Sequence, residues 1–310
     1  MKVHLQKTTE LVESLLLRRV ADKELGQHFL IEDSILERTI ELAGLGSEDH
    51  VLEVGPGPGV LTQRLLATGA KVTAIEIDPI ACEHLRDSIQ HENLTLIEGD
   101  ALKAKLPLDL SAVVANIPYQ ISSPLIEKLS QHQRQYFGLE RIVILLQEEF
   151  AIRLSMNAGI ASRGSLGMTV AMEWTTQMDL KVGPQAFKPQ PSIHSRLVKL
   201  EPHDPFKEMG AEIPEPDKRL ARLIVSTAFE ERRKKMRNRL MQAPKRIARV
   251  KGWHASGYRD VAKKLIASPQ REGLPLGWLD ARPEQLDLYF WLALAGWLQE
   301  LHALKDGKGG

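Results

Sequence analysis

The sequence predicts an α/β protein: a doubly wound, mostly parallel sheet followed by a small all-α domain. Three observations carry this. From Val51 short apolar runs alternate with helical stretches, as βαβ units do; a proline-rich stretch then breaks the pattern; beyond it every periodic segment is helical and basic. A length of 310 residues with 43% hydrophobic content suffices for two cores.

The strand candidates are Val51–Val54, Val72–Ile75, Leu94–Ile97, Ala112–Ala115 and Ile142–Leu146, separated by helix-like Val60–Ala67, Ile80–Gln90, Ser123–Ser130 and Glu148–Met156. Strands joined in this way run parallel, with helices on both faces. Thr169–Thr175 and Ile193–Leu200 are candidates for two more strands, the last after Pro184, Pro189 and Pro191. These elements make residues 1–202 the first domain. The stretch Pro202–Pro216 holds four prolines, so residues 203–216 read as a linker. Residues 217–310 form the helical domain, with candidates Lys218–Phe229, Arg232–Met241, Tyr258–Ile266 and Pro283–Leu301 and a frayed tail at Lys305–Gly310.

Composition excludes several classes. No apolar run approaches the roughly 18 residues of a membrane span, and Lys7, Glu10, Glu13 and Arg18 interrupt the amino-terminal leucines, against a secretory signal. A monomeric cytoplasmic protein without membrane attachment is expected. The single cysteine, Cys82, excludes a disulfide framework and reads as a small buried hydrophobe. His28, His84, His91 and His132 show no ligand spacing with acids, so no metal is expected.

The formal charge of +1 conceals a division. Residues 217–264 carry 16 Lys and Arg against 4 Asp and Glu, or +12, which leaves −11 on the remainder. A segment of this sign fits a polyanionic partner, with a solvated helical face as the alternative.

The chemistry gathers where strands end. Glu53-Val-Gly55-Pro-Gly57-Pro-Gly59 follows the first strand and opens a helix. Glycines at alternate positions let a ligand approach the backbone, and the helix start offers free N–H groups; a tight turn without a ligand is the competing reading. The spacing is neither G-x-G-x-x-G nor a P-loop, and Glu53 beside it suits a cationic or amino-bearing ligand better than a phosphate. Glu76, with Ile77 after it, lies about 20 residues past the glycines, where an acid accepts bonds from ribose hydroxyls. Asp100-Ala101 ends the third strand in reach of an adenine amino group, and a helix cap is the plainer role for any one such acid. The fourth strand leads into Asn116-Ile117-Pro118-Tyr119.

The order of glycine turn, strand-end Glu, Gly-Asp-Ala and Asn-Ile-Pro-Tyr resembles the S-adenosylmethionine-dependent adenine-N6 methyltransferases. More narrowly, Gly26-Gln27-His28-Phe29-Leu30, Asn116–Tyr119 with Gln120-Ile-Ser-Ser-Pro-Leu125, Ala186-Phe187-Lys-Pro-Gln-Pro191 and Ala281-Arg-Pro-Glu-Gln-Leu286 resemble the KsgA-type ribosomal RNA adenine dimethyltransferases of the small subunit. The resemblance implies a seven-stranded Rossmann-like methyltransferase sheet, S-adenosylmethionine as cofactor with S-adenosylhomocysteine as product, and small-subunit RNA or a precursor subunit as partner. Its expected product is N6,N6-dimethyladenosine at two adjacent adenosines near the RNA 3′ end. The Ser-Ser-Pro variant after Gln120 resembles archaeal and eukaryotic relatives more than bacterial ones. By resemblance the cofactor site comprises Gln27, His28, Leu30, Glu53, Gly55, Gly57, Gly59, Glu76, Ile77, Asp100, Ala101 and Asn116, with Gln27–Leu30 as a lid. The catalytic group is Asn116, Ile117, Pro118 and Tyr119, with Phe187 as a second stacking face for the target base; a loop aromatic filling a hydrophobic gap is the alternative for Phe187. The basic helix Glu230–Arg239 resembles the start of the family's carboxyl-terminal domain, with Arg232, Arg233, Lys234, Lys235 and Arg237 as RNA contacts.

An adenine amine is a poor nucleophile because its lone pair is delocalised into the ring. Two fixed acceptors, the Asn116 side-chain oxygen and the Ile117 carbonyl, take its two N–H bonds, favour the localised geometry and aim the lone pair. The chain departs from the family pattern at Gln147-Glu148-Glu149, at Gly159–Leu166 and in the long Pro244–Leu279 segment with Trp253 and Trp278; these bear on RNA contacts, not on the core. Rival readings are the macrolide-resistance type acting on large-subunit RNA, a non-catalytic ribosome assembly factor, and a small-molecule methyltransferase, which needs no +12 segment.

Overall fold

The computed structural model describes residues 5–18, 27–156 and 159–305. Gly26 of the lid motif, the ends of the amino-terminal segment and residues 306–310 of the expected tail lie outside them. The chain divides into two compact units: Met1–Ala151 with Thr175–Pro202, and Ile152–Trp174 with His203–Gly310.

The first unit is built on a seven-stranded sheet. Its strands are β1 (His50–Val54), β2 (Lys71–Glu76), β3 (Leu94–Glu98), β4 (Ala112–Asn116), β5 (Arg141–Gln147), β6 (Trp174–Val182) and β7 (Ser195–Pro202), in the spatial order β3-β2-β1-β4-β5-β7-β6. The first five are parallel, and β7 runs antiparallel to β5. Continuous apolar runs form the middle of this sheet because parallel strands are covered on both sides: β1 is buried along its whole length, as is β5 but for its end residues. The helices of this unit are α1 (Thr8–Arg18), α2 (Asp33–Ala43), α3 (Val60–Ala67), α4 (Pro79–Ser88) and α5 (Ser122–Tyr136), and α6 (Glu148–Ser155) begins in it. Leu11, Val12 and Leu15 of α1 and Leu36 of α2 join Leu65, Val72, Val114 and Val143 in one core. A short antiparallel pairing, Phe29–Leu30 with Phe187–Lys188, ties the segment ahead of α2 to the loop before β7.

Two expectations fail here. Thr169–Thr175 is not a strand: Ser165–Ala171 is helix α7, and β6 begins only at Trp174. Gly167 lets that helix pack closely on the end of α6, because a Cβ there would lie 2.6 Å from the Arg153 carbonyl oxygen. Residues 152–174 accordingly group with the carboxyl-terminal unit, and the stretch expected as a linker contributes buried Ile213 to that unit's core.

The second unit packs α8 (Lys218–Phe229), α9 (Met236–Leu240), α10 (Ala255–Ala267) and α11 (Leu288–Lys305) around Trp291, Tyr258, Leu220 and Leu298. Trp253 and Trp278 of the long segment are core residues, 6% and 3% exposed. The expected basic helix Glu230–Arg239 is helical only from Met236; α8 ends at Phe229 and residues 230–235 form a turn before α9.

Candidate active site

A doubly wound sheet opens a crevice at the carboxyl ends of its strands where the strand order reverses, here between β1 and β4. The glycine turn leaves β1 and Asn116 is the last residue of β4, so the topology alone brings them together. A cavity of about 1160 Å³, counted to its open mouth, lies there. Its walls include Gln27, His28, Leu30, Glu53, Gly55, Gly57, Glu76, Ile77, Asp100, Ala101, Asn116, Ile117, Pro118 and Tyr119.

Gly59 and Phe187 do not line it. A Cβ on Gly59 would meet Ile89 Cδ1 at 2.5 Å and Leu85 Cδ2 at 2.8 Å, so this glycine serves helix packing and its left-handed φ of +84°. Gly59→Ala is expected to cost about 1–2 kcal/mol of stability through that backbone strain, read by urea unfolding, with cofactor affinity unchanged. Phe187 is 2% exposed, its backbone paired to Leu30 and its ring within the core, so it presents no face to a base. In this structure Phe187 packs in the core, and of the two aromatics expected at the target base Tyr119 lines the cavity.

Buried Glu76 organises the turn. Its Oε2 accepts from Gly57 N at 3.0 Å and its Oε1 from Ile77 N and Asp78 N at 2.9 Å each. Of about four acceptor positions on a carboxylate, one on Oε2 remains for a ligand hydroxyl. Burial raises its pKa against these backbone bonds. Glu53 is 1% exposed, and its Oε2 has no hydrogen-bond partner among the described residues. Desolvation, with the Glu76 charge adding to it, pushes Glu53 up from 4.5 to about 8. A buried acid with an unused oxygen in a cavity wall requires a donor, preferably a cation. An ammonium group paired with a sulfonium meets that need, and half-exposed Ile77 at the rim (51%) supplies an apolar wall for a flat base. The residues present therefore fit S-adenosylmethionine.

Asp100 caps its own turn, accepting from Leu102 N at 2.9 Å, while still lining the cavity. Lys128 on α5, absent from the sequence reading, holds the same turn by donating to the carbonyls of Ala101 at 2.8 Å and Ala104 at 2.5 Å. Burial lowers the Lys128 pKa. No local pattern marks such a lysine, because its targets lie more than 20 residues away.

The lid joins both halves of the cavity. Gln27 Nε2 donates to Asp78 at 2.9 Å, and Asp78 in turn caps α4. Asn116 Nδ2 donates to the His28 carbonyl at 3.1 Å, which leaves Oδ1 as the acceptor of that amide. His28 Nδ1 lies 2.8 Å from the Pro189 carbonyl oxygen, and its ring lies near-parallel to Tyr119 with centroids 6.1 Å apart. Pro118 holds φ −57° and ψ 131° between Ile117 and the turn that carries Tyr119.

Elsewhere, Arg232, Arg233, Lys234, Lys235 and Arg237 are all exposed. Arg232 pairs with Glu284, Lys234 with Glu231, and both Lys235 and Arg237 with Asp280, while Arg233 has no ion pair among the described residues. Glu148, one of the departures from the family pattern, is bonded by Lys181 at 2.8 Å and Arg196 at 2.7 Å, which hold its pKa down. Cys82 is fully buried, its thiol pushed up to about 12 by desolvation. Among the described residues no group of three or more His, Cys, Asp or Glu is placed to hold a metal, and no helix is long and apolar enough to cross a membrane.

Comparison with known proteins agrees with this geometry. The family model for ribosomal RNA adenine dimethylase matches residues 19–252. Ribosomal RNA small subunit methyltransferase A of Thermosynechococcus vestitus is 35% identical over 289 residues, covering 91% of this chain and 98% of its own. A dimethyladenosine transferase from Plasmodium falciparum has a similar crystal structure (TM-score 0.68, 27% identity, 90% of this chain and 98% of that one). The 23S rRNA methyltransferase ErmE is also similar, with a TM-score of 0.58, 26% identity, and coverage of 87% of this chain and 99% of that one. The methyltransferase sheet, the cavity at its reversal point and the family match over most of the chain lead to one conclusion: this enzyme belongs to the ribosomal RNA adenine dimethylase family.

Proposed function

We propose that this chain transfers methyl groups from S-adenosylmethionine to N6 of two adjacent adenosines near the 3′ end of small-subunit ribosomal RNA, giving N6,N6-dimethyladenosine and S-adenosylhomocysteine. The carrying observation is the Asn116 amide: its nitrogen is committed to the His28 carbonyl, so its oxygen is the acceptor at the wall of a cavity that is also lined by Glu53, whose Oε2 has no hydrogen-bond partner among the described residues.

When bound, the cofactor supplies an electrophilic methyl carbon on a sulfonium. In the first transfer Asn116 Oδ1 and the Ile117 carbonyl accept the two N–H bonds of the adenine amine and localise its lone pair; in the second the one remaining N–H is held by one of these oxygens. Neither oxygen removes a proton before attack; the methylated nitrogen is acidic and releases its proton to water afterwards. Tyr119 stacks the extruded base, returning about 1–3 kcal/mol of the lost helical stacking. Glu53 takes the cofactor's amino group, the remaining acceptor on Glu76 a ribose hydroxyl, and Asp100 with Ile77 and Ala101 the adenine end.

The match to small-subunit relatives favours that subunit over the large one. Mass spectrometry and primer extension on both ribosomal RNAs after incubation with labelled cofactor test the reading: dimethyladenosine is expected on a neighbouring pair near the small-subunit 3′ end. Modification confined to large-subunit RNA would favour the macrolide-resistance type, and particle binding without any methylation the assembly-factor reading.

Arg232, Arg233, Lys234, Lys235 and Arg237 are proposed to meet phosphates, exchanging their acidic partners for RNA. Five such contacts give a slope of log affinity against log salt of about −3.5 for single-stranded segments. Fluorescence anisotropy across a salt series should show that slope, and replacing all five by Ser should flatten it. An unchanged slope would place the RNA elsewhere.

A further inference from the structure

Tyr119 lines the cavity beside Asn116 and Ile117, whereas Phe187 is buried in the core. The direction of its ring therefore decides where a stacked base lies. The ring is held at two points. On one side lies the His28 imidazole, at an interplanar angle of 26°. At its far end the Tyr119 hydroxyl meets Ser195 Oγ at 2.6 Å. Ser195 is wholly buried and sits at the end of the β5–β7 ladder, opposite Gln147, so the sheet fixes the backbone that carries its oxygen. Tyr119 belongs only to a short turn after Pro118, and its backbone alone does not fix the ring.

We propose that Ser195 is a positioning residue for the methyl-acceptor base: through its bond to the Tyr119 hydroxyl it sets the plane on which the adenine stacks. Ser195 itself does not line the cavity. The inference rests on the adenine-N6 methylation reading, because it presupposes a base on Tyr119. Small angular errors at a reacting centre are costly, and a rigid platform keeps the amine in line with its two acceptors.

The test is a double-mutant cycle on the full chain with undermethylated small-subunit RNA and labelled S-adenosylmethionine. Ser195→Ala and Tyr119→Phe each remove the same bond, one from a buried site and one from the cavity wall, so a folding defect in one leaves the other informative. Each is expected to lower kcat by about tenfold, with cofactor Kd and RNA KM held within about twofold, and the double variant to be no slower than the slower single one. A purely structural serine would instead lower the unfolding midpoint and leave kcat per folded molecule untouched. If the wild type is active and both single variants match it, or if their effects multiply, the assignment fails alone. A wild type that methylates no RNA adenine overturns the underlying reading and this inference together.

Discussion

Replacing Asn116 by Ala is expected to lower kcat for methyl transfer by about 10²–10³-fold, the usual cost of removing one fixed dipole from a site of developing charge. The amine then loses one of its two acceptors and its lone pair stays delocalised. Cofactor affinity should fall much less, because Glu53, Glu76 and Asp100 remain. Asn116→Asp is the sharper variant. It keeps an acceptor oxygen, but it has no N–H for the His28 carbonyl now 3.1 Å from the amide nitrogen, and it sets two oxygens against each other. Asp is expected to rescue little of the loss. Single-turnover kinetics with equilibrium cofactor binding separate the two effects, and an Asp variant at wild-type rate would show that an acceptor of any orientation suffices.

The second large effect is expected at Glu53. Its folded-state value of about 8 stands above the ordinary 4.5, so the folded chain keeps a proton that the unfolded chain has released between these limits. Glu53 therefore costs no stability below about 4.5, and stability drains away as pH rises towards about 8, by about 1.4 kcal/mol per unit in that window. Glu53→Gln should abolish the drain: the ligand-free variant matches the wild type at low pH and exceeds it by several kcal/mol above pH 8. The same change should weaken cofactor binding about 10–100-fold, as expected for loss of a charge-assisted bond. In the wild type at neutral pH, cofactor binding should also release a proton from Glu53. Denaturant melts across pH and calorimetry in buffers of different ionisation enthalpy read both effects. Equal pH dependence in the two proteins would mean that Glu53 finds a partner in solution.

The parts of the fold legible in the sequence were those with short-range causes. Strands β1 to β5 are near-continuous apolar runs, and their ends carry the glycine turn, Glu76, Asp100 and Asn116, so pattern and topology together located the cavity. Strand β6 escaped because Thr175, Gln177 and Asp179 leave it without an apolar run, and its burial is patchy. Helix α7 was masked by Gly167, whose presence answers to the Arg153 carbonyl rather than to local propensity. Gly59 and Phe187 share motifs with cavity residues yet face the core, which no one-dimensional spacing distinguishes. The bonds of Ser195 to Tyr119 and of Asn116 to His28 span 76 and 88 residues and exist only once the sheet has formed. The basic segment was legible as charge, but its pairing with Asp280 and Glu284 depends on a return of the chain some 43–52 residues later.

A crystal structure of the chain with S-adenosylhomocysteine and a small-subunit RNA 3′ fragment bears most directly on the mechanism. It should place an adenine amine within hydrogen-bond distance, about 2.7–3.2 Å, of both Asn116 Oδ1 and the Ile117 carbonyl, its base lying on Tyr119 and its nitrogen facing the cofactor sulfur. An extruded base whose amine meets neither oxygen, or a cofactor seated away from Glu53 and Glu76, would contradict it.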